Sequence, residues 1–148
     1  IMKKGFVFSL FIFFFLSSCN RDESPKTTPN TMNYVGVWKP SHYELKGKTY
    51  SLTDCQKKGV INIQTTMAGS YESYETISSN CSNVESFAGT WQTSSSELKL
   101  NYSEAGVTHT KILNVNTLST SQLKVDDNTH NIDGIPGNDE AVIVYNHN

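Results

Sequence analysis

Tyrosine and tryptophan are the residue types in this sequence best suited to holding a small molecule. All seven tyrosines lie beyond residue 33, whereas six of the seven phenylalanines lie within the first sixteen residues. Tyrosine combines an apolar ring with a hydroxyl that needs a hydrogen-bond partner, so it suits a wet cavity, an interface or a half-exposed barrel wall. We therefore predict ligand-binding residues in this set: Trp38, Tyr71, Tyr74, Trp91 and Tyr102.

The spacing of these residues leaves two interpretations open. Trp38 and Trp91 each follow a glycine by two positions. Such tryptophans either line the mouth of a cavity or fill the core, and the core interpretation is favoured. On a regular strand, alternation places every second residue from Tyr71 to Glu75 on one face and Tyr74 on the other. That face could bind a ligand, although polar strand residues more often face water.

Side chains for catalysis or metal binding are scattered. The four histidines stand at positions 42, 109, 130 and 147, and no H-x-H, HExxH, G-x-S-x-G or P-loop pattern is present. Residues 126–128 and 133–140 are rich in oxygen donors of the kind that calcium prefers, but their spacing departs from the known calcium loop. A solvated hairpin loop is the favoured interpretation, with calcium as the alternative. We predict no catalytic residue, no metal site and no cofactor, and therefore no enzyme.

The first eighteen residues are typical of a targeting segment. Lys3 and Lys4 precede an apolar run over residues 5–16, which is shorter than the roughly 20 residues of a transmembrane helix. The run ends in Leu16-Ser17-Ser18-Cys19, which resembles the lipobox of bacterial lipoproteins. The resemblance implies that residues 1–18 are removed and that Cys19 carries a diacylglycerol and an acylated amino group. The alternative is an ordinary secretory signal.

A tether follows the lipidated cysteine. Residues 20–33 include Pro25 and Pro29 and almost nothing apolar, so we expect a flexible linker. Asn20-Arg21-Asp22-Glu23 resembles the export signal of some surface lipoproteins of Bacteroidetes, with Arg21 in place of lysine; the alternative is an ordinary charged linker. The expected partner is a membrane, held through the lipid anchor. The expected location is the cell envelope, at the outer membrane and exposed on the surface if the export signal operates.

The charge of the chain excludes nucleic acid as a partner. The chain has 12 basic and 14 acidic residues, and removal of Lys3 and Lys4 with the signal leaves 10 against 14, a net charge of −4. Arg21 is the only arginine in the chain. Binding to nucleic acid needs clusters of basic residues that neutralise phosphates, and the sequence has none.

Two cysteines remain once Cys19 is lipidated. Cys55 and Cys81 form an even pair in a chain expected in an oxidising compartment, so we predict one disulfide. A catalytic thiol or a metal site is the alternative, but neither cysteine has a CxxC partner. The disulfide would stabilise the fold by roughly 3 to 4 kcal/mol because it closes a long loop.

Short β-prone runs separated by Gly, Asn, Ser and Asp make up the chain from residue 34 onward. Apolar and polar residues alternate clearly at Leu98, Lys99 and Leu100. Such alternation turns the apolar face of a strand towards the core and the polar face towards water. We predict eight strands, at residues 35–45, 60–65, 71–78, 87–93, 97–102, 107–115, 122–126 and 142–145. Because the connections are short, successive strands should pair in order. The predicted fold is all-β, an eight-stranded antiparallel up-and-down barrel with one disulfide.

A family resemblance supports this fold. Tyr34-Val35-Gly36-Val37-Trp38-Lys39 resembles the Gly-x-Trp that opens the first strand of lipocalins. The pattern that follows, with Phe87-Ala88-Gly89-Thr90-Trp91, Leu98-x-Leu100 and a closing strand ending in Tyr145, is similar to small lipocalin-like lipoproteins of Bacteroidetes. The resemblance covers residues 34–148 and implies a lipocalin-like barrel. Lipocalins also stack a late-strand arginine on the first-strand tryptophan, and this chain departs from them because it has no arginine after Arg21.

These features favour a lipid-anchored, non-enzymatic, lipocalin-like protein of the envelope that binds a small apolar or amphipathic molecule. Two alternatives remain open at this point. One is an interaction or structural module with a solid core, and the other is a subunit or inhibitor of another envelope protein. No pattern in the sequence identifies a protein partner. A cavity inside the barrel is the property that separates the carrier from the solid module.

Overall fold

A computed structural model describes residues 34–148, and β-strands form most of this part of the chain. The strands are β1 (Gly36–Leu45), β2 (Lys48–Ser51), β3 (Val60–Ile63), β4 (Ala68–Ile77), β5 (Asn80–Thr93), β6 (Glu97–Glu104), β7 (Val107–Leu118), β8 (Gln122–Asp127) and β9 (Ala141–His147). A 3-10 turn, Gln56–Lys58, precedes β3. The targeting segment, Cys19 and the linker lie outside the described residues. Within residues 34–148, no helix has the length and hydropathy needed to cross a membrane.

Eight of the strands close into an antiparallel up-and-down barrel, which confirms the predicted fold class. β3 to β9 pair in sequence order, and β1 pairs with both β3 and β9 and so joins the two ends of the sheet. Closure of this kind removes the unpaired edges of an open sheet. β2 pairs only with the last four residues of β1 and forms a short hairpin beside the barrel.

Two strand segments were not predicted from the sequence. β2 was missed because it has no apolar alternation: three of its four residues are exposed, and only Tyr50 is half-buried. β5 begins at Asn80, seven residues before the predicted start. Its first half is polar and becomes a strand by pairing with β4 across a tight turn at Ser78 and Ser79. Both turn residues have positive φ, 48° and 67°, which matches the twist of a hairpin.

The main core fills one end of the barrel. Trp38 and Trp91 are its largest fully buried side chains, with 0% and 2% of their surface exposed. The other buried members are Tyr34, Ile61, Ile63, Tyr71, Leu98, Leu100, Leu113, Val115, Leu123, Val125 and Tyr145. We call this end, which carries the turns at residues 64–67, 94–96 and 119–121, the packed end. The opposite end carries the connections at residues 46–59, 78–79, 105–106 and 128–140, and we call it the open end.

Trp38 seals the packed end. Its Nε1 donates a hydrogen bond to the carbonyl oxygen of Tyr34 at 2.8 Å. The ring of His147 packs edge-on against it, with 4.7 Å between the ring centroids. His147, from the last strand, is therefore a side chain that packs on the first-strand tryptophan. Gly36 permits this contact, because a Cβ atom there would collide with the His147 ring.

Cys55 and Cys81 form the predicted disulfide, with 5.4 Å between their Cα atoms. The bond ties the connection between β2 and β3 to the start of β5, at the open end of the barrel. A second apolar cluster, of Tyr43, Leu45, Leu52 and Ala141, packs between the barrel wall and the connections of this end. The open end therefore has its own structural support, separate from the main core.

Candidate functional site

The open end of the barrel holds a cavity of about 280 Å³, which we call the open-end cavity. Its floor is apolar, since Leu113 and Val125 both line it and belong to the main core. Tyr43, Tyr71 and Tyr145 contribute buried side chains to its lining. Polar and charged side chains make up most of the rest of the lining, so the cavity combines apolar and aromatic surface with many polar groups.

An ion pair joins β7 to β5 at the open-end cavity. Nζ of Lys111 lies 2.6 Å from Oε1 of Glu85, and the hydroxyl of Ser73 donates to Oε2 of Glu85 at 3.1 Å. The same ammonium lies 4.9 Å from the centroid of the Tyr71 ring, which is within cation–π range. The Lys111 and Glu85 side chains are 26% and 32% exposed, so the pair remains accessible to water.

A second polar cluster joins β4, β8 and the loop after β8. Nδ1 of His130 lies 2.7 Å from Oδ2 of Asp127, and its Nε2 lies 3.0 Å from Oε1 of Glu75. The backbone N–H and the hydroxyl of Thr129 both donate to Oδ1 of Asp127, at 2.8 and 2.7 Å. The hydroxyl of Tyr43 donates to Oδ2 of Asp127 at 3.2 Å. These hydrogen bonds hold the start of the loop beside the cavity.

The contacts of this cluster shift the ionisation of its members. Burial by itself would raise the pKa of Asp127, but hydrogen bonds from His130 and Thr129 outweigh it and lower that pKa to about 2. The hydrogen bond to Asp127 raises the pKa of His130, against the opposing effect of burial. The cluster thus holds an ionised carboxylate beside an imidazole whose protonated form is favoured.

The buried tyrosines remain protonated. Burial raises the pKa of Tyr43, Tyr71 and Tyr145, and the negative charge of Asp127 adds to the effect at each of them. A phenol whose pKa is raised keeps its hydroxyl hydrogen throughout the physiological range. The lining therefore presents hydrogen-bond donors and aromatic faces rather than phenolate charge.

Beside the cavity, two strand segments are hydrogen-bonded to a neighbouring strand on one side only. β7 begins at residue 107, but its ladder with β8 runs only from residue 115 to residue 118. β5 and β6 likewise pair only over residues 89–93 of β5, which leaves the first half of β5 joined to β4 alone. Lys111 and Glu85 lie in these partly paired segments. The hydrogen bonding between strands is therefore incomplete at the segments that carry Lys111 and Glu85.

Two of the five predicted ligand-binding residues, Tyr71 and Tyr74, line the open-end cavity. The predicted alternation also holds, because Ser73 and Glu75 share the inward face with Tyr71 and bond the polar groups of the cavity. Tyr74 alternates with these residues along β4, donates its hydroxyl hydrogen to Glu72 at 3.1 Å, and borders the cavity together with Glu72. A ligand-binding role for Tyr71 and Tyr74 stays a prediction.

The other three predicted residues lie away from the open-end cavity. Trp38 and Trp91 are in the main core, and Nε1 of Trp91 donates to the carbonyl oxygen of Asn62 at 2.9 Å. This agrees with the core interpretation of the two tryptophans. Tyr102 stacks on Phe87, with 4.2 Å between the ring centroids, and neither residue is part of the cavity lining. We therefore leave these three residues out of the candidate site.

Sequence reasoning missed most of the polar residues of the cavity: Tyr43, Glu85, Lys111, Asp127 and His130. They stand on four strands and one loop, and each is an ordinary residue within its own segment. Two of them carry a signal in the sequence: Tyr43 belongs to the tyrosine set, and Asp127 belongs to the run of oxygen donors at residues 126–128. The others become a site only when β5, β7 and β8 are brought together by the barrel.

Two acidic residues of the loop between β8 and β9, Asp133 and Asp139, accept hydrogen bonds from the backbone of the same loop. Oδ2 of Asp139 accepts hydrogen bonds from the backbone N–H groups of Ile132 and Asp133, at 2.6 and 3.1 Å. Oδ1 of Asp133 accepts one from Ile135 at 2.9 Å. In the described part of the chain, no three or more His, Cys, Asp or Glu side chains are placed to hold a metal ion. The geometry supports the hairpin-loop interpretation of this segment.

Comparison with known families agrees with the barrel. Residues 35–125 match the lipocalin-like domain, a stretch that covers more than half of the chain and runs from β1 into β8. The chain belongs to the lipocalin-like domain family. Lipocalin-like domains are in general binding proteins rather than enzymes. No curated protein and no solved structure matches the chain. In this lipocalin-like domain, the open-end cavity is the candidate site.

Proposed function

We propose that the protein is a lipid-anchored, extracytoplasmic binding protein that holds a small amphipathic molecule in the open-end cavity. The observation that carries this proposal is the cavity itself, about 280 Å³ in a barrel whose other end is filled by the main core. A barrel that served only as a solid module would have no need of an unfilled end lined by buried tyrosines.

The lining favours an amphipathic ligand over a purely apolar one. A hydrocarbon chain could rest on Leu113 and Val125, but it would also strip water from Lys111, Glu85 and Asp127. Burying a charge without new polar partners costs several kcal/mol, roughly the hydrophobic gain of a short chain. A molecule with an apolar part for the floor and a polar part for the wall avoids this cost.

The position of the chain's entry into the barrel is compatible with anchoring. Tyr34 begins the described chain at the packed end, where its hydroxyl donates to the carbonyl oxygen of Ser94 at 2.7 Å. A tether from a lipid on Cys19 would thus join the barrel at the end opposite the cavity. The cavity would then remain accessible from the aqueous side.

A neutral fluorescent probe, N-phenyl-1-naphthylamine, tests the binding proposal. The mature protein should bind the probe saturably at a ratio of one to one, and a lipid extract of the producing cells should compete for the same site. Probe fluorescence that rises without saturation, or binding that the extract leaves unchanged, would contradict the proposal. Heat-unfolded protein serves as the control for non-specific adsorption.

The anchoring proposal has its own test. The protein should incorporate labelled palmitate and fractionate with the outer membrane, whereas Cys19→Ser should lose the label and leave the membrane fraction. Membrane association of Cys19→Ser equal to that of the unmodified chain would refute the lipid anchor. Protease treatment of intact cells then reports surface display, which complete protection would exclude.

A module that acts through its outer surface is the second candidate function. The observation in its favour is a set of exposed apolar side chains in the described part of the chain: Ile77, Val84, Val107, Ile112 and Ile135. Two of them, Val84 and Ile112, also border the open-end cavity. If this candidate were right, substitution of Ile77 and Val107 by serine, neither of which lines the cavity, would abolish a cross-link to an envelope protein without changing probe binding.

A further inference from the structure

We propose that the ligand of the open-end cavity carries an ammonium group. This inference rests on the proposed binding function and names the chemical class of the ligand. It is carried by the charges that face the cavity and by the position that the cavity's own lysine occupies.

The charge balance of the lining is negative. Five acidic residues line the cavity, Glu72, Glu75, Glu85, Asp126 and Asp127, against two basic residues, Lys111 and His130. His130 is engaged on both ring nitrogens by two of those carboxylates. A cavity with such a balance and with low-dielectric walls attracts cations and repels anions.

Lys111 shows where a ligand ammonium would lie. Its Nζ is held 2.6 Å from a carboxylate oxygen of Glu85 and 4.9 Å from the centroid of the Tyr71 ring. A carboxylate on one side and an aromatic face on the other is the environment that proteins use to bind ammonium groups. The ammonium group of Lys111 therefore already occupies a position that suits the ammonium group of a ligand.

Lys111 can leave that position at little cost. Its side chain is long, stands on the partly paired half of β7 and remains 26% exposed, so its ammonium can reach water by rotation about its side-chain bonds. A lysine–carboxylate pair that water can reach contributes little to stability. A ligand ammonium, whose apolar part rests on the floor, can take the place between Glu85 and Tyr71.

The size of the cavity limits the ligand. A volume of about 280 Å³ corresponds to roughly nine water molecules at liquid density. This is enough for a short alkyl chain or a single ring with its charged group. Because the cavity opens to solvent, this volume sets the size of the part of the ligand that the barrel encloses, which is the part that carries the ammonium group.

Three probes of matched length separate the alternatives: hexylammonium, hexanoate and hexanol. Binding is measured by NMR titration of the mature protein at constant ionic strength. The same titrations are made with Glu85→Gln, which removes the carboxylate, and with Lys111→Gln, which removes the competing ammonium. Lys99→Gln is the matched control, because Lys99 pairs with Glu97 at 2.8 Å and does not line the cavity.

We expect hexylammonium to bind about tenfold more tightly than hexanol and hexanoate, because of the three probes only the ammonium can form a charged hydrogen bond with Glu85. Glu85→Gln should weaken hexylammonium about tenfold on the same grounds. Lys111→Gln should tighten it severalfold, and Lys99→Gln should leave it unchanged. The sign of the Lys111→Gln effect is decisive, because an anionic ligand would need that lysine.

The inference is overturned if hexanoate or hexanol binds as well as hexylammonium, if Lys111→Gln weakens hexylammonium, or if none of the three binds while the neutral naphthylamine probe does. Absence of binding by all four molecules contradicts the proposed binding function instead. Unfolding midpoints of the variants show that each remains folded during the titrations.

Discussion

Asp127 and His130 are residues whose ionisation depends on the fold. They lie three positions apart in the chain and are joined by a 2.7 Å contact, but the third partner, Glu75, comes from β4. The Asp127 side chain is only 13% exposed, and its hydrogen bonds more than offset the cost of burying its charge. The stability of the open end should therefore depend on pH through this cluster.

Replacing His130 with Gln should lower stability most in mildly acidic solution. The folded state raises the pKa of His130, so its contribution is complete below about pH 6.5 and is lost as the pH rises through the folded value. The pKa of Asp127 is lowered, so its contribution is complete above about pH 3.9 and is lost as the pH falls towards 2. Urea unfolding should show the largest gap between wild type and His130→Gln near pH 5 to 6, roughly between these limits.

A histidine that does not belong to this cluster provides the control. His109 is exposed on β7, and the stability of His109→Gln should follow that of the wild type across the same pH range. A gap between wild type and His130→Gln that stays constant from mildly acidic to alkaline solution would show that His130 acts by packing alone.

At the scale of elements, the disulfide and one side chain hold the connection between β2 and β3. Cys55 is bonded to Cys81 on β5, and Nε2 of Gln56 donates to both carboxylate oxygens of Glu75, at 3.3 and 3.2 Å. Both contacts attach the connection to the β4–β5 hairpin at the open end. The shape of the cavity therefore depends on a segment that has almost no regular structure of its own.

The double variant Cys55→Ala, Cys81→Ala should lower the free energy of unfolding by roughly 3 to 4 kcal/mol, because the unfolded chain loses a closed loop of about 27 residues. Urea unfolding measures this difference. Wild-type protein treated with a reductant should unfold at the same urea concentration as the double variant. Oxidised wild type and double variant with equal midpoints would show that the bond does not contribute to stability.

The strands were predictable where one face is buried. Leu98 and Leu100 on β6 and Leu123 and Val125 on β8 alternate with polar residues, and each of these strands lies where the pattern placed it. β2 and the first half of β5 lie at the open end, away from the main core, so no apolar period marks them. Their pairing comes from the tight turns that precede them, which sequence patterns indicate weakly.

The candidate site was predictable only along a single strand. Alternation on β4 correctly grouped Tyr71, Ser73 and Glu75, because residues two apart on one strand share a face whatever the rest of the chain does. Glu85 and Lys111 are 26 residues apart and meet across the barrel at 2.6 Å. No local pattern relates two such residues, since their contact depends on how three strands close around the cavity.

At the scale of the whole molecule, the two ends of the barrel differ in packing and in polarity. The packed end has two buried tryptophans, with His147 sealing the first of them. The open end has charged clusters, partly paired strands and a cavity of about 280 Å³. The main core lies at the packed end, and the open end, supported by the disulfide and the second apolar cluster, keeps polar groups and unfilled space that a close-packed core would exclude.

Native mass spectrometry of the protein purified from its own cells tests the central claim, that the open-end cavity binds a small molecule. Ser73→Phe places a bulky ring in the cavity, and Thr90→Phe, on the exposed face of β5, is its matched control. The account predicts a bound small molecule on the wild type and on Thr90→Phe, and none on Ser73→Phe. Wild-type protein without a bound molecule, or equal occupancy of all three proteins, would contradict it.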